Sequence, residues 1–147
     1  MLKFVQTYGT LVCFFGLVAF FWFMLPGTFM TGRNLINISQ QMSMLAVTAF
    51  AMTLIMAMGD FDLSVGSMAS LSGVVAAVVF QITGSVPLGI SAALVVGIMG
   101  GALNGFLVSY VGILPFVATL GTLTIFSGSA FLVSGGITIS DQAIAFR

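Results

Sequence analysis

The sequence predicts an all-α membrane protein with about five transmembrane helices, and composition is the first observation behind that prediction. Of the 147 residues, 60% are apolar and only 4% are charged, and the mean hydropathy is +1.27. A soluble domain carries about 25% charged residues, because its surface has to face water. Three basic and three acidic side chains cannot cover such a surface. The apolar exterior must therefore be solvated by lipid.

Long uncharged stretches between the charges are the second observation. A hydrocarbon core about 30 Å thick needs about 20 apolar residues for each helix that crosses it. On that scale the chain, residues 1–147, forms part of a single membrane domain. The predicted spans are about 9–25, 42–58, 67–82, 88–111 and 116–133.

Turn-forming residues separate the predicted spans. The connecting segments are 26–41, 59–66, 83–87 and 112–115. Each contains glycine or proline, which interrupt helices and favour turns. The first connection is the most polar stretch of the chain, and we expect it to lie outside the spans.

Composition also excludes several classes of function. The chain has no His and one Cys, Cys13, which excludes histidine general bases, His-bound metals and a disulfide within the chain. Lys3 is the only lysine and lies in no glycine-rich loop, so the G-x-x-x-x-G-K-[ST] nucleotide loop is absent. We predict no catalytic residue, metal or cofactor here, so any ATP has to be bound by another subunit. Zero net charge gives nucleic-acid binding no electrostatic basis.

Asp60 and Asp62 lie between two apolar spans and are the acids that precede residue 141. An ionisable group in a bilayer costs about 2.5–3.5 kcal/mol on insertion scales, so such groups face a cavity or a partner. One interpretation places both on a solute or coupling pathway. The other is a polar interfacial turn in which Asp62 or Ser64 caps the third helix, and the two are compatible. A calcium loop is excluded, because the positions that require Gly and Glu hold Val65 and Leu71.

Small residues recur every four positions in the fourth span, at Ala93, Gly97, Gly101 and Gly105. Such residues let two helix backbones approach closely, which is how helices associate in lipid. We predict helix packing for these four. Asn104 lies in the same region, and its amide needs a partner in lipid, either another helix or a solute.

Thr119 and Thr122 belong to a polar streak that follows Pro115 into the fifth span. Threonine can bond the backbone one turn back, so it is inexpensive in a membrane helix. Helix packing is one interpretation of this streak. A deformable helix that moves is the other.

Four segments resemble one family, the bacterial ABC-importer permeases for monosaccharides such as ribose, xylose and arabinose. Residues 59–67, GDFDLSVGS, resemble its signature G-G-x-D-L-S-V-G-S. Residues 34–41 resemble its N-x-x-N-I-x-x-Q, and residues 97–108 resemble its G-x-x-x-G-x-x-N-G-x-L-V. Residues 115–122 resemble its P-F-I-x-T-L-G-T. The four occur in the family's order, which makes the resemblance specific.

The resemblance implies a permease subunit of an ATP-driven importer for a simple sugar, working by alternating access in a bacterial inner membrane. The implied partners are two ATP-binding subunits, a second permease copy and a periplasmic sugar-binding protein. Within that frame we assign solute contact or gating to six polar residues. They are Asp60, Asp62, Ser64, Asn104, Thr119 and Thr122.

Two features depart from the family pattern. Asp60 stands where many members have glycine, a form similar to arabinose-type members. The family's chains are longer and carry a later ATPase-docking loop that has no counterpart here. We therefore expect the N-terminal half of a permease, in which a new polar segment begins near Gly136 and reaches Asp141.

Two other functions stay open at this point. A small proton-driven secondary transporter would need an acid within a span as its proton carrier. A truncated membrane fragment would not transport at all. Three basic residues are too few to set the membrane orientation by the positive-inside rule.

Overall fold

The structure, a computed structural model, describes residues 2–137 and 139, with side chains from residue 7 onward. Five α-helices follow one another along the chain, and no strand occurs in the described residues. They are α1 (Leu2–Met24), α2 (Gly32–Ala57), α3 (Val65–Thr83), α4 (Val86–Ser109) and α5 (Pro115–Ser134). Each is long and apolar enough to cross a membrane. The predicted all-α class is confirmed, while the polar segment expected to reach Asp141 runs outside the described residues.

The chain divides into two compact units, residues 1–47 and 48–147. The first unit holds α1 and the N-terminal part of α2. α1 ends at Met24, shortly before Pro26, whose ring disfavours a helical conformation in the residue before it. No residue of α2 is buried, and the same is true of α1 over residues 7–24.

α2 begins at Gly32, ahead of the apolar run that starts at Met42. The Thr31 hydroxyl oxygen accepts the backbone N–H of Asn34 at 3.4 Å, the contact that an N-capping threonine makes. The Asn34 side chain in turn donates to the Phe29 carbonyl at 2.8 Å. These local bonds explain why the polar stretch assigned to a connection is largely helical.

The second unit holds the end of α2 together with α3, α4 and α5. Within it, α3 packs against both α4 and α5. Short connections return the chain after α3 and after α4, so consecutive helices run antiparallel. The buried apolar side chains belong to α3 and α5: Ala77, Phe80, Ala118, Phe126 and Ala130.

Glycine is required where α2 and α3 end. Gly59 after α2 and Gly84 after α3 have φ values of +87° and +66°, which glycine adopts without steric cost. The Gly84 N–H donates to the Phe80 carbonyl at 2.7 Å and closes the last turn of α3. Because α4 runs antiparallel to its neighbours, α3 and α5 begin at the end of the unit where α4 ends.

Candidate functional site

Four polar side chains meet where α3 and α5 begin and α4 ends. Asp62 and Ser64 come from the loop before α3, Asn104 from α4 and Thr119 from α5; we call these four residues the polar junction. Ser64, Asn104 and Thr119 are 1%, 7% and 2% exposed, respectively. Asp62 is half-buried. The junction is thus a largely buried polar cluster within helices that are otherwise apolar.

Hydrogen bonds connect Asn104 of α4 to Asp62 and Ser64 in the loop before α3. Asp62 Oδ1 accepts both the backbone N–H and the hydroxyl of Ser64, each at 2.7 Å. Asn104 Nδ2 donates to Ser64 Oγ at 2.7 Å and to Asp62 Oδ2 at 3.3 Å. Bonds to an ionised acceptor are roughly twice as strong as neutral ones. The carboxylate therefore fixes α4 to the loop that precedes α3.

At the start of α3, Asp62 supports the turn and also bonds a neighbouring helix. Ser64 occupies the N-cap position, but its side chain makes no cap bond. Asp62 instead accepts the Ser64 N–H, which is the Asx-turn geometry. Its charge also lies beside the first turn of α3, where the helix dipole favours an anion. The carboxylate thus leads the chain into α3 and at the same time binds Asn104.

Asn104 has one half of its amide satisfied and the other not. The amide orientation is fixed by Asp62, because a carboxylate only accepts hydrogen bonds and so faces Nδ2. Asn104 Oδ1 is buried and has no hydrogen-bond partner within the described part of the chain. An acceptor left in that state costs about 1–3 kcal/mol until a donor reaches it.

The two threonines of α5 bond mainly to their own helix. Thr119 Oγ1 donates to the Pro115 carbonyl at 2.8 Å and also lies 3.5 Å from the Phe61 carbonyl. Thr122, 2% exposed, donates to the Thr119 carbonyl at 3.3 Å. Thr122 is therefore about one turn further along α5, and within the described residues its hydroxyl bonds the Thr119 carbonyl rather than a side chain of the junction.

A cavity of about 330 Å³ lies against the junction. Ligand pockets measure roughly 300–1,000 Å³, so this volume suits a small solute. Four of the six predicted site residues border it, namely Asp60, Asp62, Asn104 and Thr119, whereas Ser64 and Thr122 do not line it. The other lining residues are Ile55, Met58, Phe61, Gly101, Gly105, Val108, Ser109 and Pro115.

The small residues of α4 have different surroundings. A Cβ placed on Gly101 or Gly105 would have no atom of the described chain within 4 Å, and both glycines border the cavity. Gly97 is in ordinary contact with α3, 3.9 Å from Ser72 Oγ by the same measure. Ala93 lines a cleft between α3 and α4.

Sequence reasoning missed the closest approach of α4 to the backbone of another helix. A Cβ on Gly89 would lie 2.9 Å from the backbone oxygen of Ala76 in α3. Gly89 stands four residues before Ala93, so extending the small-residue spacing by one step would have found it. Gly100, which is also buried, lies under the Met68 side chain.

The sequence that forms this site matches a known family of membrane proteins. The family model of the branched-chain amino acid transport system / permease component matches residues 34–145, which include the whole junction. The chain belongs to this permease family. Its relatives are permease proteins of transport systems, and the resemblance predicted from the four segments is confirmed.

Two curated relatives of this permease chain illustrate the match. It is 31% identical over 142 residues to the xylose transport system permease protein XylH of Escherichia coli, which covers 96% of this chain and 36% of XylH. It is 37% identical over 91 residues to the autoinducer 2 import system permease protein LsrD of Salmonella typhimurium, which covers 62% of this chain and 27% of LsrD. The chain thus spans about a third of the length of these relatives. No solved structure matches it.

Family membership and the five apolar helices together identify a multi-pass membrane protein. The matched relatives are named as permease proteins of a transport system and of an import system. Within the described residues, no three of the His, Cys, Asp and Glu side chains come close enough to hold a metal ion.

Proposed function

We propose that the chain is part of the membrane-spanning permease subunit of an ATP-driven ABC importer for a simple sugar, a pentose or a related monosaccharide. Its membership in the permease family and its similarity to a xylose permease and an autoinducer 2 permease support this. The membrane would be a bacterial inner membrane, which the organisms of those relatives favour.

The observation that carries the proposal is the buried, hydrogen-bonded contact between Asn104, Ser64 and Asp62 beside a cavity of solute size. Polar and ionisable groups inside a membrane domain are costly, and they mark solute and ion pathways. A cavity that borders a carboxylate, an amide and a hydroxyl suits hydrogen bonds to sugar hydroxyls. The apolar walls around it would hold few other polar solutes.

The proposed mechanism is alternating access between two states of the pathway. A partner can shift such an equilibrium only by binding one state more tightly than the other. Two ATP-binding subunits would supply that difference, because the chain has no nucleotide-binding loop. A periplasmic sugar-binding protein would deliver the solute, and a second permease copy would complete the pathway.

The residues of the site would divide these tasks. Asp60, Asp62, Asn104 and Thr119 border the cavity and would make weak, transient contacts with the sugar. Ser64 would hold Asn104 and Asp62 in place through its two hydrogen bonds. Thr122 would act in gating, as a buried side chain bonded to its own helix one turn from Thr119.

Uptake of radiolabelled D-xylose, D-ribose and L-arabinose tests the proposal, in cells that carry the gene in its natural operon and in cells from which this gene is deleted. We expect uptake of one of these sugars to be lost on deletion and restored by the gene in trans. Vanadate, which inhibits ABC ATPases, should abolish uptake in membrane vesicles, while a protonophore should not. Uptake that a protonophore abolishes and vanadate leaves intact would identify a proton-driven transporter instead. Unchanged uptake after deletion would contradict transport by this chain.

A further inference from the structure

We propose that residues 59–62, which we call the strap, form a movable gate over the cavity beside the polar junction, and that Phe61 is the side chain that closes it. Asp60, Phe61 and Asp62 of the strap line the cavity, so a displacement of the strap changes access to it. The inference rests on the proposed function, since it concerns how the same site is opened and closed.

The strap is held firmly at its two ends. At one end, Asp62 Oδ1 accepts the N–H and the hydroxyl of Ser64, and Ser64 Oγ accepts from Asn104 Nδ2, each at 2.7 Å. At the other end, the Gly59 N–H donates to the Met56 carbonyl of α2 at 3.0 Å, and Gly59 has a φ of +87°. Hinges are commonly a few loop or element-terminal residues that absorb a change in φ and ψ. Movement is therefore confined to the residues between Gly59 and the Asp62 side chain.

Between these ends the strap has weak attachments. Within the described residues, the N–H groups of Phe61, Asp62 and Leu63 donate no hydrogen bond. The Phe61 carbonyl lies 3.5 Å from the Thr119 hydroxyl, beyond the roughly 2.5–3.0 Å of an ordinary O–H···O bond. That hydroxyl donates at 2.8 Å to the Pro115 carbonyl of its own helix. Lids are drawn from the parts of a protein with the lowest local stability, and the middle of the strap is such a part.

The side chain of Phe61 has the size and the exposure that a gate requires. It is 45% exposed, and an aromatic side chain buries about 150–250 Å² when it is enclosed. Removal of apolar area from water is favourable, and the cavity offers the apolar lining residues Ile55, Met58 and Val108. Inward movement of the ring would therefore bury apolar surface and fill part of the cavity.

Occupancy of the cavity links the strap to the solute. The ring of Phe61 and a solute compete for the same volume of about 330 Å³. A ligand shifts an equilibrium toward the state that it binds more tightly. An empty cavity thus favours the closed strap, and a bound solute favours the open one. The strap is a different element from Thr122, which lies within α5 and does not line the cavity.

Fluorine NMR of the full chain in detergent micelles tests whether the strap moves. Phe61 is replaced by 4-fluorophenylalanine, which keeps the ring. We expect two resonances, or one resonance broadened by exchange between the two positions. The matched control carries the same label at Phe116, which is 56% exposed and does not line the cavity, and it should give one sharp resonance. A single sharp resonance at Phe61, or equal broadening at both positions, would overturn the inference.

Cysteine labelling tests whether Phe61 controls access. Cys13→Ser removes the exposed native thiol, and Gly105→Cys places a thiol at the cavity, where a Cβ meets no atom of the described chain within 4 Å. A charged, water-soluble methanethiosulfonate then reports access to the cavity. We expect Phe61→Ala to raise the labelling rate several-fold, while Phe61→Tyr, which keeps the ring, and Phe116→Ala, the matched control, retain the parental rate.

An unchanged rate in Phe61→Ala, or an equal rise in Phe116→Ala, would contradict the gate. The fluorine measurement does not depend on the folding of Phe61→Ala, because it keeps the aromatic side chain. Neither experiment reads out transport. Two fluorine states and faster labelling without sugar uptake in cells would contradict the proposed function and leave the gate standing, whereas sugar uptake with one fluorine state and unchanged labelling would do the reverse.

Discussion

Two faces of α4 carry small residues, and they differ in what they meet. The contact face consists of Gly89, Gly100 and Asn104, all buried, and it packs on α3 and its preceding loop. The cavity face consists of Gly101 and Gly105, where a Cβ would have no atom of the described chain within 4 Å. Both faces contain glycine in an apolar helix, so composition does not distinguish them.

Helix geometry explains the difference. With 3.6 residues per turn, a step of four residues rotates about 40° beyond a full turn. Four such steps from Gly89 place Gly105 about 160° round the axis, whereas Gly100 and Asn104 lie about 20° and 60° from Gly89. The later residues of a series at strict four-residue spacing therefore no longer face α3. Spacing alone predicts small residues on a helix surface, and rotation decides which of them a given neighbour meets.

Gly89→Ala should have the largest effect on the stability of the fold. The added methyl group would lie 2.9 Å from the Ala76 backbone oxygen, and backbone cannot move aside as the tip of a side chain can. Overpacking of this kind costs typically about 1–3 kcal/mol. Reversible unfolding of the purified protein in mixed micelles measures the loss. Gly101→Ala is the matched control, and an equal loss there would contradict the distinction between the two faces.

The hydrogen bond from Asn104 to Ser64 should give the next largest effect, at the polar end of the contact face. A double-mutant cycle with Asn104→Ala and Ser64→Ala isolates their coupling from the cost of each substitution. Interhelical hydrogen bonds in membrane proteins couple by about 0.6 kcal/mol on average and at most about 1.7. We expect a coupling energy at the upper end of this range, because Asn104 Nδ2 lies 2.7 Å from Ser64 Oγ and the bond is buried.

Ser91→Ala provides the control for that cycle. The Ser91 hydroxyl bonds to the Pro87 carbonyl within α4, so it should not couple to Asn104. Equal coupling of Asn104 to Ser91 and to Ser64 would mean that the cycle reports a general loosening of α4. The hydrogen bond would then contribute nothing specific.

The helices could be predicted from the sequence more completely than the contacts between them. Apolar runs bounded by glycine and proline identify five helices, because lipid leaves the chain few other options. The start of α2 at Gly32 was not predicted. Hydropathy indicates which residues contact lipid, whereas the start of this helix depends on capping by Thr31. The contact face of α4 was not predicted either, because Gly89 lies four residues before Ala93, where the recognised series of small residues begins.

The candidate site shows the same limit. The segment 59–66 and Asn104 could be singled out, because polar groups between apolar runs need partners. That Asn104 bonds Ser64, in the loop before α3, could not be read from either position. For Asn104 the sequence left two partners open, a helix or a solute. The structure pairs its Nδ2 with the loop before α3 and leaves its Oδ1 without a partner in the described chain.

Asp62→Asn should have a smaller effect on stability and a larger one on transport. Asparagine keeps the shape of the side chain and can still accept from Ser64, but it loses the charge that strengthens these bonds about twofold. We expect a stability loss below about 1 kcal/mol, intact membrane insertion and a several-fold fall in sugar uptake. Insertion is measured by carbonate extraction and uptake with labelled sugar. Unchanged uptake would mean that Asp62 serves only the turn before α3.

Gly101→Leu should have the smallest effect on the fold, and it tests what the cavity face is for. A Cβ at this position meets no atom of the described chain within 4 Å, so the unfolding free energy should change by less than about 0.5 kcal/mol. We nevertheless expect it to disturb assembly with a second permease copy, because a large side chain keeps two helices apart. Native mass spectrometry of the protein purified from its own membrane measures assembly, with Gly105→Ala as a milder change on the same face.

The outcome for Gly101→Leu separates two uses of the same glycine. Lost assembly with an unchanged fold would mean that the cavity face of α4 packs against another helix, as its spacing predicts. Normal assembly and normal uptake would contradict that prediction. Normal assembly with lost uptake would mean that Gly101 is small for a different reason, since it borders the cavity beside Asn104 and a side chain there would occupy the space of the solute. A face without close contacts in one chain is therefore interpretable only when assembly and transport are measured on the same variant.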